Sequence, residues 1–427
     1  MPSPAPFLRI FARITLGLSC FGWVSMADAQ SALEPADGGT DFVIQGEYSG
    51  TIGNATAPGA QSIGIQVVAQ DSGRFLAVFL PGGLPGQGWN GKDRTDILAT
   101  LKNGEVDFSV AGYVAKVDTF GLVLNGTTPK GESFSARKVN RQSPTVDSAA
   151  PAGAVVLFDG TGVSAWKEGT ATMDARKLFK PDGTSEATGA VSKQAFQDFT
   201  LHLEFREPFM PAARGQSRGN SGIYLQNRDE VQILDSFGSQ FENGADTMAA
   251  KRECGAFFEY FRPTVNMAFP PLSWQTYDID FTAAKYDAAG KTQIEPGYAT
   301  VRWNGVTVQE KRALVYSTLL GEPQGPAGGP LRFQFHGDPV YYRNIWATEG
   351  AAGIRHGRRL ASPRSGFIGI YNSGHSGWTR LDGRNFSEAW PWNTVGADRT
   401  ALGWYLTPAD IGTHSTSRKR IWEDENE

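Results

Sequence analysis

The chain has 427 residues, with 40 basic and 44 acidic side chains, a net charge of −4 and only 2 cysteines. That length suggests two domains at roughly 100–200 residues each, and the near-neutral balance without a Lys/Arg-rich run argues against a nucleic-acid reader. Glycine accounts for 51 residues, above the roughly 7% of average proteins, and 11% of the chain is aromatic, which favours many short strands joined by tight turns.

At the start of the chain, Arg9 and Arg13 precede an apolar run, Ile14 to Met26, that ends in Ala27-Asp28-Ala29. This reads as a secretory signal peptide over residues 1–29, cleaved before Gln30. The run is too short for a membrane span, which needs about 20 apolar residues. The mature protein is therefore expected outside the cytoplasm, periplasmic or extracellular, with no membrane span after cleavage. Losing Arg9, Arg13 and Asp28 moves the charge from −4 to −5. Cys20 leaves with the signal, so Cys254 has no partner for a disulfide and is expected as a small buried hydrophobe.

From Asp41 onward apolar residues alternate in short runs: Ile63, Ile65 and Val67; Phe75, Ala77 and Phe79; Val106, Phe108 and Val110; Phe120, Leu122 and Leu124. Residues 41–141 thus read as a small all-β module built on an antiparallel sheet. Within it, Gly86 to Gly91 matches G-x-G-x-x-G, but no amphipathic helix follows, so a glycine-rich connection is expected and no phosphate loop. Residues 142–153 are rich in Pro, Ala and Ser without periodicity and read as a linker.

A second β-rich region covers 154–349, with strands expected at 200–205, 222–226, 230–234, 276–281, 300–303, 331–336 and 340–346. So many strands with almost no helical period predict a two-sheet sandwich. Residues 350–427 form a C-terminal extension whose tryptophans, Trp378, Trp390, Trp392 and Trp404, are expected mainly as packing residues. No G-x-S-x-G, C-x-x-C or H-E-x-x-H string is present.

Two stretches carry candidate chemistry. Asn220 to Asp235 reads as a hairpin with Asn227-Arg228-Asp229 as its loop, setting Gln226 opposite Glu230 and Tyr224 opposite Gln232. Ile223, Leu225, Val231 and Ile233 then face the core. The other face carries an aromatic, neutral amides and one carboxylate, a composition suited to sugar hydroxyls. In the second stretch Leu331, Phe333 and Phe335 form the core face, leaving Arg332, Gln334 and His336 on the polar one. The turn at Gly337-Asp338-Pro339 places His336 opposite Val340 or Gln334 opposite Arg343, depending on loop length.

Leu157 to Trp166, Phe199 to Arg206, Asn220 to Ser236, Cys254-Gly-Ala256, Pro271 to Ile279, and Gly329 to Pro339 with Arg343 to Trp346 together resemble the 3-keto-disaccharide hydrolase domain family. The resemblance covers about 154–349 and implies a concanavalin-like sandwich, or jelly roll. Gly82 to Trp89 resembles a β-domain sometimes attached to that family. The resemblance also implies a carbohydrate partner and cleavage of glycosides already oxidised at the sugar 3-position. A 3-keto group acidifies the C2 proton, so a base removes it, the C1 substituent leaves by β-elimination, and water adds back. On this reading Glu230, His336 and Arg343 are catalytic, with His336 or Glu230 as base and Arg343 beside the enolate. Tyr224, Gln226, Gln232 and Gln334 bind substrate. A divalent cation held by Glu230, His336 and a glutamine oxygen is compatible with this donor set. Two positions depart from the family pattern: Phe335 stands where an acidic residue is common, and Phe258-Glu259-Tyr260 lacks the usual tyrosine placement. The competing expectation is a non-catalytic, lectin-like protein of the cell envelope on the same sandwich.

Overall fold

The structure is a computed structural model that describes residues 31–53, 59–109, 112–118, 120–239, 246–350, 369–372 and 377–380. It is nearly all-β, and its longest described helix, α1, spans only Gly39–Ile44. No described helix is long and apolar enough to cross a membrane. The expected signal peptide, the side chain of Trp378, and Trp390, Trp392 and Trp404 lie outside the described residues.

The first eight strands are β1 (Gly46–Ile52), β2 (Gln61–Ala69), β3 (Arg74–Pro81), β4 (Thr95–Lys102), β5 (Glu105–Asp107), β6 (Val114–Asp118), β7 (Val123–Thr127) and β8 (Ser133–Val139). Each pairs antiparallel with the next, and β1 pairs back onto β8 from Glu47↔Val139 to Ile52↔Phe134. The small sheet expected from the alternation is thus a closed barrel, which leaves no strand edge exposed. Its interior is filled by side chains such as Ile65, Val67, Phe75, Phe79, Phe108 and Leu124. On β6 only alternate residues are buried, as for a barrel wall facing water, whereas β2 is buried without a break from Ile63. The cause lies outside the barrel: Val68 is buried in the core of the following region, and Leu76 packs against that core.

That region contains β9 (Val155–Phe158), β10 (Ala171–Met173), β11 (Phe179–Pro181), β12 (Gly189–Phe196), β13 (Phe199–Arg206), β14 (Ser221–Leu225), β15 (Asp229–Ile233), β16 (Gln275–Thr282), β17 (Lys285–Tyr286), β18 (Gln293–Glu295), β19 (Gly297–Trp303), β20 (Val306–Leu314), β21 (Gly329–Gln334) and β22 (Tyr341–Glu349). One sheet runs β10-β11-β22-β13-β16-β19-β20, with β9 also on β22, and the facing sheet runs β12-β21-β14-β15. Between them lie Leu201, Leu203 and Phe205 from one sheet and Ile223, Leu225, Val231, Ile233, Leu331 and Phe333 from the other. Cys254 is buried here as a free thiol, 3.0 Å from the Tyr277 hydroxyl.

The connector between barrel and sandwich lies flat on the outer face of the larger sheet. Thr145 Oγ1 donates to Asp278 at 2.7 Å, and the Asp147 amide donates to Glu204 at 2.6 Å. Its polar composition therefore serves the buried polar side chains beneath it. At its start, Arg141 clamps the fully buried Glu47 of the barrel and donates to the Pro85 carbonyl, so the glycine-rich connection packs at the junction.

Candidate functional site

The outer face of the four-stranded sheet gathers most of the expected site. Period-two geometry sends Ile223, Val231 and Phe333 inward and Tyr224, Glu230, Gln232, Arg332 and Gln334 outward. The observed register pairs Tyr224 with Glu230 and Gly222 with Gln232. Gln226 and Asn227 have positive φ of 52° and 60° and belong to the turn, which moves the expected pairing by two residues, takes Gln226 out of the ladder and leaves the other side chains of the hairpin on their predicted faces.

On this face the Tyr224 hydroxyl donates to Glu230 Oε2 at 2.9 Å and lies 3.0 Å from the Leu319 carbonyl. The Arg332 guanidinium lies 3.7 Å above the Tyr224 ring. It donates to the carbonyls of Ala187 at 2.6 Å and Leu320 at 2.7 Å, tying together the two loops that border the sheet. Gln334 reaches the Tyr224 hydroxyl at 3.5 Å. The Glu230 side chain folds over Gly222, where a Cβ would stand 2.1 Å from its Oε1. Burial raises the Glu230 carboxyl to about 8 against the opposing pull of the Tyr224 hydrogen bond and Arg332, so it is largely protonated at neutral pH. Burial likewise pushes the Tyr224 hydroxyl up and the Arg332 guanidinium down.

His336 lies just past the end of β21. Its Nε2 is 3.2 Å from the Asn220 amide nitrogen and 3.2 Å from a carboxylate oxygen of Glu186. One ring nitrogen thus has two alternative partners: unprotonated it accepts from Asn220, and protonated it donates to Glu186. Asn220 is anchored through the Gln216 carbonyl, and the Gln216 side chain also accepts from Gln232 at 3.0 Å. His336 and Glu186 form the open end of the cluster, with side chains 19% and 61% exposed. Deeper in, Gln334 Oε1, Gln232 Oε1, Asn220 Oδ1 and Arg332 Nε are buried without a partner. Such a set of unfilled donors and acceptors on one face is what a polyhydroxylated ligand satisfies.

Two expected site residues lie elsewhere. Gln226 turns its amide to the carbonyls of Phe196 and Gln197 and accepts from Arg228, so it fixes the hairpin turn. Arg343 is on β22 in the opposite sheet. The segment 337–340 is a crossover between sheets, not a hairpin turn, so neither predicted pairing forms. There Arg343 binds Glu204 at 2.7 Å and Asp147 at 2.8 Å and stacks on Trp274. It belongs to a second buried polar group in which His202 Nδ1 lies 2.6 Å from Asp278 and the His202 ring stacks on Trp346. Burial alone would lower the His202 pKa, but the Asp278 hydrogen bond and Glu204 outweigh it and hold it above the usual value. Phe335, where the family often has an acid, packs toward Gly183 in the loop before β12.

Glu186 and Arg332 were not picked out by residue pattern as site members. Arg332 was legible as a member of the polar face, whereas Glu186 sits in an irregular loop with no periodicity to announce it. No group of three or more His, Cys, Asp or Glu side chains is placed to hold a metal ion among the described residues. A concavity of about 490 Å³ on the barrel wall, lined by Glu105, Val114, Lys116 and Asp118 among others, holds none of this chemistry.

An all-β sandwich carrying this face is a carbohydrate-acting domain of hydrolase or lyase kind. Residues 153–348 match the model of the 3-keto-alpha-glucoside-1,2-lyase-like domain, and through that segment the chain belongs to the family. A crystal structure from Parabacteroides distasonis, described as a "putative glycosyl hydrolase", is 34% identical, covering 47% of this chain and 85% of its own, with a TM-score of 0.40. A second structure from that organism, described in the same words, is 18% identical and covers 46% of this chain and 94% of its own, with a TM-score of 0.33. No curated protein matches the chain.

Proposed function

We propose that the protein is an exported enzyme that cleaves 3-keto-glycosides, 3-keto-disaccharides among them, on the outer face of the four-stranded sheet. His336 Nε2 takes the C2 proton, and Glu186 receives the imidazolium. The C2–H electron pair forms the C1–C2 double bond as the C1–O bond breaks, and the leaving oxygen takes the proton of Glu230. Arg332, whose Nε is unpartnered, is the cation available to the developing enolate oxygen. Water then adds across the double bond, so the overall change is hydrolysis.

The observation that carries this reading is the coexistence on one face of a neutral carboxylic acid, Glu230, and an imidazole nitrogen with both a donor and a carboxylate beside it. An acid and a base kept apart by their surroundings are what the elimination needs. Two opposed carboxylates of the ordinary glycosidase kind are not needed. Incubating the purified protein with a 3-keto-disaccharide, with and without chelator, tests it. Release of monosaccharide is expected; ligand binding with no product would instead mark a lectin.

A further inference from the structure

The loop between β20 and β21 carries exposed apolar side chains directly beside the polar cluster. Tyr316 is 70% exposed, Leu319 56% and Leu320 42%. Its backbone is nonetheless fixed. The Thr318 amide donates to the Arg228 carbonyl at 3.1 Å, Thr318 Oγ1 accepts from the Glu230 amide at 2.8 Å, and the Glu322 amide donates to the Asn227 carbonyl at 2.8 Å. Apolar side chains grouped on one loop in this way, unlike singly scattered ones, mark a contact surface.

The contacts also bound how far these side chains lie from the chemistry. The Leu319 carbonyl is 3.0 Å from the Tyr224 hydroxyl, so bond lengths put the Leu319 Cα within about 5.5 Å of that hydroxyl. One guanidinium joins the carbonyls of Leu320 and Ala187, so these are at most about 8 Å apart, given the width of its planar fork. Glu186, the partner of His336, precedes Ala187. The apolar rim therefore begins within about 8.5 Å of the Glu230 carboxyl, and Arg332 ties its loop to the one that carries Glu186.

We infer that this rim, formed by Tyr316, Leu319 and Leu320, is the seat of the substrate's C1 substituent and selects an apolar, aromatic aglycone. The inference rests on the function proposed above. The Tyr224 hydroxyl that holds the Glu230 carboxyl also lies 3.0 Å from the Leu319 carbonyl, so a leaving group protonated by Glu230 departs beside this loop. Leucine side chains offer no hydrogen bond to the hydroxyls of a second sugar but bury an aryl ring well. The unfilled polar atoms of Gln232, Gln334 and Asn220 remain for the keto sugar itself.

The test compares two 3-keto-glucosides that differ only at C1, one carrying phenol and one carrying a second glucose. The wild type is expected to show a kcat/KM about tenfold higher for the phenyl glycoside. A variant combining Tyr316→Ser, Leu319→Ser and Leu320→Ser is expected to lose about tenfold on the phenyl glycoside and to stay within twofold on the disaccharide. Equal losses on both substrates, or no preference in the wild type, overturn the aglycone inference while leaving the function standing. Cleavage of neither substrate by the wild type overturns both. If the substitutions change only the oligomeric state, the rim is a contact between copies and the inference fails.

Discussion

The Tyr224 hydroxyl donates to Glu230 across the β14–β15 ladder, with the two residues directly opposite one another in register. The pair is flanked by the Arg332 guanidinium on the tyrosine ring and by the bare backbone of Gly222 beneath the carboxyl. A carboxyl so enclosed keeps its proton through neutral pH. In the proposed reaction it acts as the acid, so kcat/KM on a 3-keto-glycoside should fall as pH rises above about 8. Glu230→Gln should lose about 100-fold or more and abolish that alkaline limb. A limb unchanged in the variant would assign it to another group.

Gly222 is needed as a vacancy. Gly222→Ala places a methyl 2.1 Å from the present position of Glu230 Oε1, and the carboxyl must swing away. Activity should drop nearly as far as in Glu230→Gln, with a stability cost of about 1–3 kcal/mol. Thermal denaturation and initial rates on the same preparation separate the two effects.

His336 and Glu186 stand at the open end of the cluster, where substitution disturbs little packing. His336→Ala should lower kcat by about 10²–10⁴ with an unchanged melting temperature, and added imidazole should restore part of it. Glu186→Gln should lower kcat less and leave KM near wild type, because the amide still meets the ring but no longer stabilises its charge. A KM effect alone would make Glu186 a binding residue.

Arg343 should be dispensable for chemistry and necessary for stability. It is the cation beside the fully buried Glu204, and removing one member of a buried pair typically costs about 3–5 kcal/mol. Because Arg343 is itself partly exposed, Arg343→Ala should fall at the lower end of that range in urea unfolding while keeping its rate within twofold. A large rate loss in the folded variant would return Arg343 to the reaction.

His202, raised above its usual 6.5 by Asp278 and Glu204, makes the larger sheet pH-sensitive. A histidine raised in the folded state contributes stability that is fully present below its unfolded pKa and is lost as pH rises through the folded one. Unfolding free energy should therefore decline as pH rises above 6.5, and His202→Gln should flatten that part of the profile. A wild-type profile as flat as the variant's would show that the imidazole does not take up its proton on folding.

What could be read from the residues was what period two encodes. Tyr224, Glu230, Gln232 and Gln334 fell on one face because alternation fixes parity, and even a hairpin register wrong by two residues kept them there. The barrel strands showed the same alternation, but their closure depends on β1 meeting β8 some ninety residues on, and no local pattern carries that. Arg343 was misplaced for a related reason. Gly337-Asp338-Pro339 has the chemistry of a turn, yet which sheet receives the next strand is decided by packing of Tyr342 and Ile345 in the core. Glu186 reaches His336 from a loop some 150 residues earlier, a meeting created only by the folded sheets.

Val68 and Leu76 belong by sequence to the barrel but pack with the sandwich interior. Expressing residues 153–348 alone would open a hole where these two side chains now sit and expose oily wall on a fragment that has lost its plug. Such a fragment should self-associate, whereas the whole chain should melt in one cooperative step. In this protein the barrel serves as a cork for the sandwich.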